Sequence, residues 1–155
     1  MNAAFNSKLD NIPPASSDPS LDERLAVASR VSAAHFEVML DHIAYLPPEG
    51  QELVRQAWQY ADQAHSNQWR SSGDPYITHP IAVTTICAHW KLDAPALMAA
   101  LLHDAMEDCG ITKQDLIDRF GPVVADLVDG LTKLDKLHFN TREETQAESF
   151  RKMLL

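Results

Sequence analysis

Residues 101–110 are LLHDAMEDCG, and the placing of charge within them decides how the chain is understood. A run rich in Leu and Ala that carries His103, Asp104, Glu107 and Asp108 is either a helix with one side in water or the wall of a site. On a wheel of about 100° per residue, His103 at about 0° puts Asp104 at about 100°, Glu107 at about 40° and Asp108 at about 140°. On one continuous helix these four share a side. One turn earlier, Leu97, Ala100 and Leu101 occupy the same arc. A stripe that is apolar and then acidic fits a helix lying under a core at one end and lining a cleft at the other. Carboxylates gathered beside an imidazole in such a cleft repel one another unless a cation sits among them. Locally, a solvated face and a metal site both remain open.

Composition narrows the classes. A chain of 155 residues suits one compact domain with a real core. With 45% hydrophobic and 23% charged residues, disorder is excluded across most of it. The formal net charge of -9 disfavours non-specific nucleic-acid binding, which needs clustered Lys and Arg. An anionic ligand would be repelled by the field of the whole protein, so a metal ion or a few local cations must receive it. The first twenty residues have neither a basic start nor a continuous apolar run, and no stretch is long enough to span a membrane, so a soluble cytoplasmic protein is expected. The two cysteines, Cys87 and Cys109, form no paired motif, and Cys87 is expected to be a buried small hydrophobe.

Working outward from the motif, the chain reads as helices. Residues 1–20 are polar and aperiodic and are expected to form a mobile tail. From Leu21 to Tyr45 the pattern is helical, with Leu25, Val31, Phe36, Met39 and Leu40 among its apolar positions, and LPPEG (46–50) breaks it. A second helix is expected over about 51–66, from Leu53, Ala57, Tyr60, Ala61 and Ala64. SNQWRSSGDPY (66–76) reads as a loop, and a third helix starts near Pro80 with Ala82, Val83 and Ile86. Asp93 is the expected N-cap of the helix that runs through the opening motif. Thr112 with Asp115 resembles a capping box, Phe120-Gly121-Pro122 ends one helix and begins another, and Thr141 with Glu144 opens the last. That last helix carries Ala147, Phe150 and Leu154 and reaches Leu155 without a stop signal, so it is expected to be cut short, with an uncovered apolar side that permits self-association. Strand-like alternation is scarce, and the fold class is all-α.

Two adjacent ligands, His103 and Asp104, are too few for a stable metal site, so a third must come from elsewhere. His35, His42, His65, His79, His89 and His138 are the candidates. His79 stands out because it lies at a loop-to-helix junction where Gly73, Pro75 and Pro80 restrict the backbone.

Together, His79 and the His103-Asp104 pair resemble the HD metal-dependent phosphohydrolases. More narrowly, RSSGDPYITHP (70–80), ALLHDAMEDC (100–109), VDGLTKLDKL (128–137) and QAESFRKMLL (146–155) match, in order, the hydrolase domain of RelA/SpoT-type proteins, which make and destroy the alarmone (p)ppGpp. The resemblance runs from about Leu53 to the end, and the serine pair Ser71-Ser72 looks SpoT-like. It implies a helical bundle of the HD type over residues 51–155, incomplete at its C-terminal end, preceded by an N-terminal helix and Pro-rich turn over 21–50.

The resemblance also implies roles. His79, His103 and Asp104 would bind one Mn²⁺, an ion suited to mixed imidazole and carboxylate donors. Glu107 and Asp108 would position or deprotonate the attacking water. Arg70 would pack on guanine, a role its flat guanidinium suits, and Ser72, Gly73 and Tyr76 would complete the nucleotide loop. Lys133 and Lys136 would add positive charge near the phosphates. The reaction is hydrolysis of the 3′-pyrophosphate, giving GDP or GTP and pyrophosphate. The family pattern continues to a later Asp that completes the metal site, so the fourth ligand is expected outside this chain, Asp135 is not its substitute, and the chain by itself is expected to turn over little. Two other classes stand beside this one. A generic HD phosphohydrolase has no need of the Arg70 loop, and a non-catalytic helical module would bind a partner through its last helix.

Overall fold

The computed structural model describes residues 20–134 and 142–154, and among them the fold is all helical. The helices are α1 (Leu21–His42), α2 (Pro48–Ala64), α3 (Thr78–His89), α4 (Ala94–Leu102), α5 (Ala105–Asp108), α6 (Lys113–Phe120), α7 (Pro122–Leu134) and α8 (Arg142–Leu154). Residues 1–19 of the expected tail, the expected capping residue Thr141, and Asp135, Lys136 and His138 lie outside the described residues. No helix among those described is long and apolar enough to cross a membrane.

At the centre stands α4, whose sequence APALMAALL carries no charge. Residues 96–102 are all buried, so this helix is enclosed on every side rather than striped. Its small side chains Ala96, Ala99 and Ala100 let α2, α3 and α7 approach closely. Asp93 caps it by accepting from the Ala96 amide at 3.1 Å, as the sequence implied. Thr112 and Asp115 close the capping box of α6, and Gly121 separates α6 from α7.

Around α4 the other helices add Val54, Ala57, Ile81, Val83, Leu116, Val128, Leu131 and Phe150 to one core. The N-terminal helix belongs to that core through Phe36, Met39 and Ile43, just beyond its end. Phe36 stacks on Trp58 with centroids 4.2 Å apart, and the Trp58 indole donates to Ser32 Oγ at 3.1 Å. Cys87 is fully buried, and burial pushes its thiol pKa up to about 12, so it packs as a small hydrophobe.

The third helix starts at Thr78 with Pro80 in its first turn, near the expected start, and the Thr78 and His79 amides bond the Pro75 and Tyr76 carbonyls in a tight turn. Two expectations need correction. The helix through the opening motif is not continuous. It ends at Leu102, and a one-turn helix follows from Ala105, so the shared arc of the wheel is broken at His103-Asp104. The His103 ring bonds back to the Ala100 carbonyl at 2.6 Å, taking the acceptor that the next helical amide would use. Finally, the side of α8 expected to be uncovered is largely covered. Gln146, Ala147, Ser149 and Phe150 are buried where α8 crosses α3 and α7, leaving Leu154 38% exposed.

Candidate metal centre

The first turn of α3 and the break after α4 bring three ligand-type side chains together. His79, His103 and Asp104 are each 1% exposed, and each offers a ligand atom within 4.8 Å of the other two. Asp104 Oδ2 lies 3.2 Å from His103 Nε2 and 3.5 Å from His79 Nε2. Among the described His candidates for a third ligand, His79 is the one grouped with His103 and Asp104. His42 and His89 contact each other at 3.2 Å instead.

The outer nitrogen of each ring is held. His103 Nδ1 faces the Ala100 carbonyl at 2.6 Å, and His79 Nδ1 faces Glu143 Oε1 at 3.4 Å. Carbonyl and carboxylate oxygens only accept, so each ring carries a proton on Nδ1. Both Nε2 atoms then face the same centre as the Asp104 carboxylate. Outer acceptors of this kind orient metal-binding imidazoles.

Burial pushes the Asp104 carboxyl up, but charge on His103, hydrogen bonds from His103 and Tyr76, and charge on His79 outweigh it. The group is held well below the usual carboxylate range. A divalent ion would act on the carboxyl in the same direction. Two imidazole nitrogens and an ionised carboxylate in a dry setting suit a borderline-hard divalent cation, so the donors fit the metal that the motif implies.

The loop between α2 and α3 presents the remaining residues of interest. It is tied by a bridge between Trp69 and Pro75 and by the Arg70 amide bonding the Asp74 carbonyl at 2.8 Å. Gly73 turns it at φ 93°, a conformation costly for any residue with a Cβ. Ser72 Oγ donates to Asp74 Oδ2 at 2.9 Å. The Tyr76 hydroxyl donates to Asp104 Oδ2 at 2.6 Å, which ties this loop directly to the ligand group. The Arg70 guanidinium pairs with Glu143 on α8, the same carboxylate that faces His79. Burial raises the Glu143 pKa, but bonds from its own backbone, Arg70 and His79 bring it below its ordinary value.

Other nominated residues lie further out. Glu107 and Asp108 follow Asp104 by one turn and are exposed. The Lys133 side chain is 72% exposed and its ammonium binds Asp129 at 3.0 Å. Behind the loop, His65 packs on Tyr76 with centroids 4.8 Å apart and contacts Gln68 Oε1 at 2.9 Å and Cys109 Sγ at 3.3 Å.

Sequence reasoning missed Gln146 and Glu143. Gln146 is 6% exposed, and its Oε1 lies 2.5 Å from His79 Nε2 and 2.6 Å from His103 Nε2. The available signal was the helical spacing of Glu143, Gln146 and Phe150, which places two polar residues on the same side as a buried aromatic.

An all-α bundle with paired histidines and a His-Asp step at its centre defines a class, and comparison places the chain in it. A family model described as the HD domain matches residues 57–155, and the chain belongs to that family. Within it, the chain is similar to SpoT-type proteins. It is 56% identical to a guanosine-3′,5′-bis(diphosphate) 3′-pyrophosphohydrolase of Vibrio cholerae over 111 residues, 72% of this chain and 16% of that protein. The bifunctional (p)ppGpp synthase/hydrolase SpoT of Escherichia coli is 55% identical over 111 residues, again 72% of this chain and 16% of that protein. A pyrophosphohydrolase of the same name from Haemophilus influenzae is 58% identical over 95 residues, 61% of this chain and 14% of that protein. The matched stretch therefore spans about 16% of the length of the first relatives.

Proposed function

We propose that this chain carries the hydrolytic centre of a (p)ppGpp 3′-pyrophosphohydrolase, working in the cytoplasm as part of a larger synthetase/hydrolase. The observation that carries the reading is the buried convergence of His79, His103 and Asp104, with both outer ring nitrogens engaged by acceptors. The donor set supports Mn²⁺. When bound, the ion lowers the pKa of a coordinated water and offsets charge on the pyrophosphate. A negatively charged protein acting on a polyanion needs such a local cation.

The remaining roles follow from position and chemistry. Glu107 and Asp108, exposed one turn beyond Asp104, take the proton from the attacking water. Its oxygen bonds the phosphorus next to the ribose, and the 3′ oxygen leaves and gains a proton, releasing pyrophosphate from GDP or GTP. Arg70 exchanges its pairing with Glu143 for the guanine face, while Ser72 and Gly73 shape the loop beside it. Tyr76 fixes Asp104 and links nucleotide loop to metal. Lys133 attracts the phosphates from the surface rather than from within the ligand group.

Titration calorimetry of ppGpp into the purified chain with and without Mn²⁺, beside His103→Ala and Arg70→Ala, tests this. Binding is expected only with Mn²⁺, to be lost in His103→Ala and weakened in Arg70→Ala. Equal affinity for ATP, untouched by Arg70→Ala, would refute the guanine assignment in favour of a generic HD phosphohydrolase.

A further inference from the structure

The two carboxylates assigned to the attacking water stand on an element too short to hold itself. α5 is a single turn, Ala105–Asp108, in which Ala105 is the buried residue. It closes on two backbone bonds, from the Asp108 amide to the Asp104 carbonyl at 2.9 Å and from the Cys109 amide to the Ala105 carbonyl at 3.1 Å. Gly110 then turns the chain away at φ 68°. The carbonyls at the end of such a turn have no helical amide ahead of them, and one turn does not persist by backbone bonding alone. Its placing has to come from outside.

The Gln68 side chain supplies it from 40 residues away in sequence. Its amide nitrogen donates to the Asp108 carbonyl at 3.1 Å and lies 3.6 Å from Cys109 Sγ. A carbonyl only accepts, so the NH₂ group is the end that faces α5, and Oε1 accepts from His65 Nδ1 at 2.9 Å. His65 is 3% exposed and packs on Tyr76, so the ring that orients Gln68 is itself fixed. The Gln68 backbone is tied as well, its amide to the His65 carbonyl at 3.0 Å and its carbonyl to the Tyr76 amide at 2.9 Å. Tyr76 in turn donates to Asp104. One residue thus joins the end of α2, the loop that leads to the ligand group, and the far end of α5.

Resting on the role given to Glu107 and Asp108 above, we propose that Gln68 is a positioning residue for the hydrolytic step. It caps α5 from outside and sets where that turn presents its two carboxylates relative to His79, His103 and Asp104, while His65 holds Gln68 in the donating orientation. The Gln68 side chain bonds His65, Asp108 and Cys109 and not the ligand group, so losing its donor leaves the metal ligands in place and releases α5. A shift of about 1 Å in a group that handles the attacking water lowers the rate about 100-fold.

The experiment compares the wild-type chain with Gln68→Glu, which keeps the acceptor for His65 but cannot donate to Asp108, and with Gln68→Met, which keeps only the shape. Circular-dichroism melts establish folding, and Gln68→Glu carries the test should Gln68→Met not fold. Single-turnover pyrophosphate release from ppGpp with Mn²⁺, at excess chain, is expected to slow about 10- to 100-fold in the variants. The ppGpp concentration for half-maximal rate and the calorimetric Mn²⁺ affinity are expected to stay at their wild-type values. Cys109, uncovered by the loss of Gln68, should be alkylated faster by iodoacetamide, with the fully buried Cys87 silent. An unchanged rate overturns the proposal, and so does a fall in ppGpp or Mn²⁺ affinity that accounts for the slower rate. A wild type that releases no pyrophosphate counts against the hydrolytic reading alone; the cap is then decided by alkylation, and Cys109 reacting no faster in either variant overturns it.

Discussion

Replacing Tyr76 by Phe removes one oxygen and tests whether the ligand group is held together as the structure describes. The Tyr76 hydroxyl donates at 2.6 Å to Asp104 Oδ2, and Asp104 is 1% exposed. A hydrogen bond to a charged group contributes about 1.5–3 kcal/mol, and a buried carboxylate deprived of it keeps the desolvation cost. His79 and His103 remain near the same oxygen, so the expected loss is toward the middle of that range, about 2 kcal/mol. The chain contains its own control. Tyr45 also donates at 2.6 Å, but to the Leu92 carbonyl in a half-buried place, and Tyr45→Phe should cost only about 0.5–1.5 kcal/mol. In urea unfolding with a slope of about 2 kcal/mol/M, the Tyr76→Phe midpoint should fall by about 1 M and that of Tyr45→Phe by about half as much. Because Asp104 is held well below the usual carboxylate range, the Tyr76→Phe deficit should be the same at about pH 6 and about pH 8. A Tyr76→Phe loss no larger than that of Tyr45→Phe would refute the view that this hydroxyl supports a buried, ionised carboxylate.

Burial lowers the pKa of His65, so the unfolded chain protonates this imidazole more readily than the folded one. Its contribution to stability is complete above the ordinary His value of about 6.5 and is lost as pH falls below it. His65→Gln should therefore flatten the decline in melting temperature on acidification, and an unchanged decline would count against this assignment. Leu101, fully buried in the central helix, should cost about 2–5 kcal/mol when cut to Ala. At about 2–4 °C per kcal/mol, its melting temperature should drop by about 10 °C, and a drop of a degree or two would mean that α4 is not the enclosed helix described.

What could be learned from the sequence divides along physical lines. The caps at Asp93 and Thr112 and the joint at Gly121-Pro122 were legible because the chemistry that sets them lies within three or four residues. The break at His103-Asp104 was not, because periodicity assumes that a helix continues, whereas a side chain bonding back to Ala100 ends this one. His79 could be singled out by its position before Pro80, but its meeting with His103 rested on family resemblance. Gln146 lies 67 residues from His79 and 43 from His103, a separation that no local pattern encodes. The helical spacing of Glu143, Gln146 and Phe150 gave a face without saying what the face meets. Tyr76 was assigned to a nucleotide loop by resemblance alone, while its bond to Asp104 emerged only from tertiary packing.

The central claim is that His79, His103 and Asp104 converge on a divalent cation. An anomalous-difference map from crystals of the chain grown with Mn²⁺ tests it most directly. The account predicts one strong peak at about 2.1 Å from His79 Nε2, His103 Nε2 and an Asp104 carboxylate oxygen. A map with no peak among these three side chains, or with Mn²⁺ held only by surface carboxylates, would contradict it.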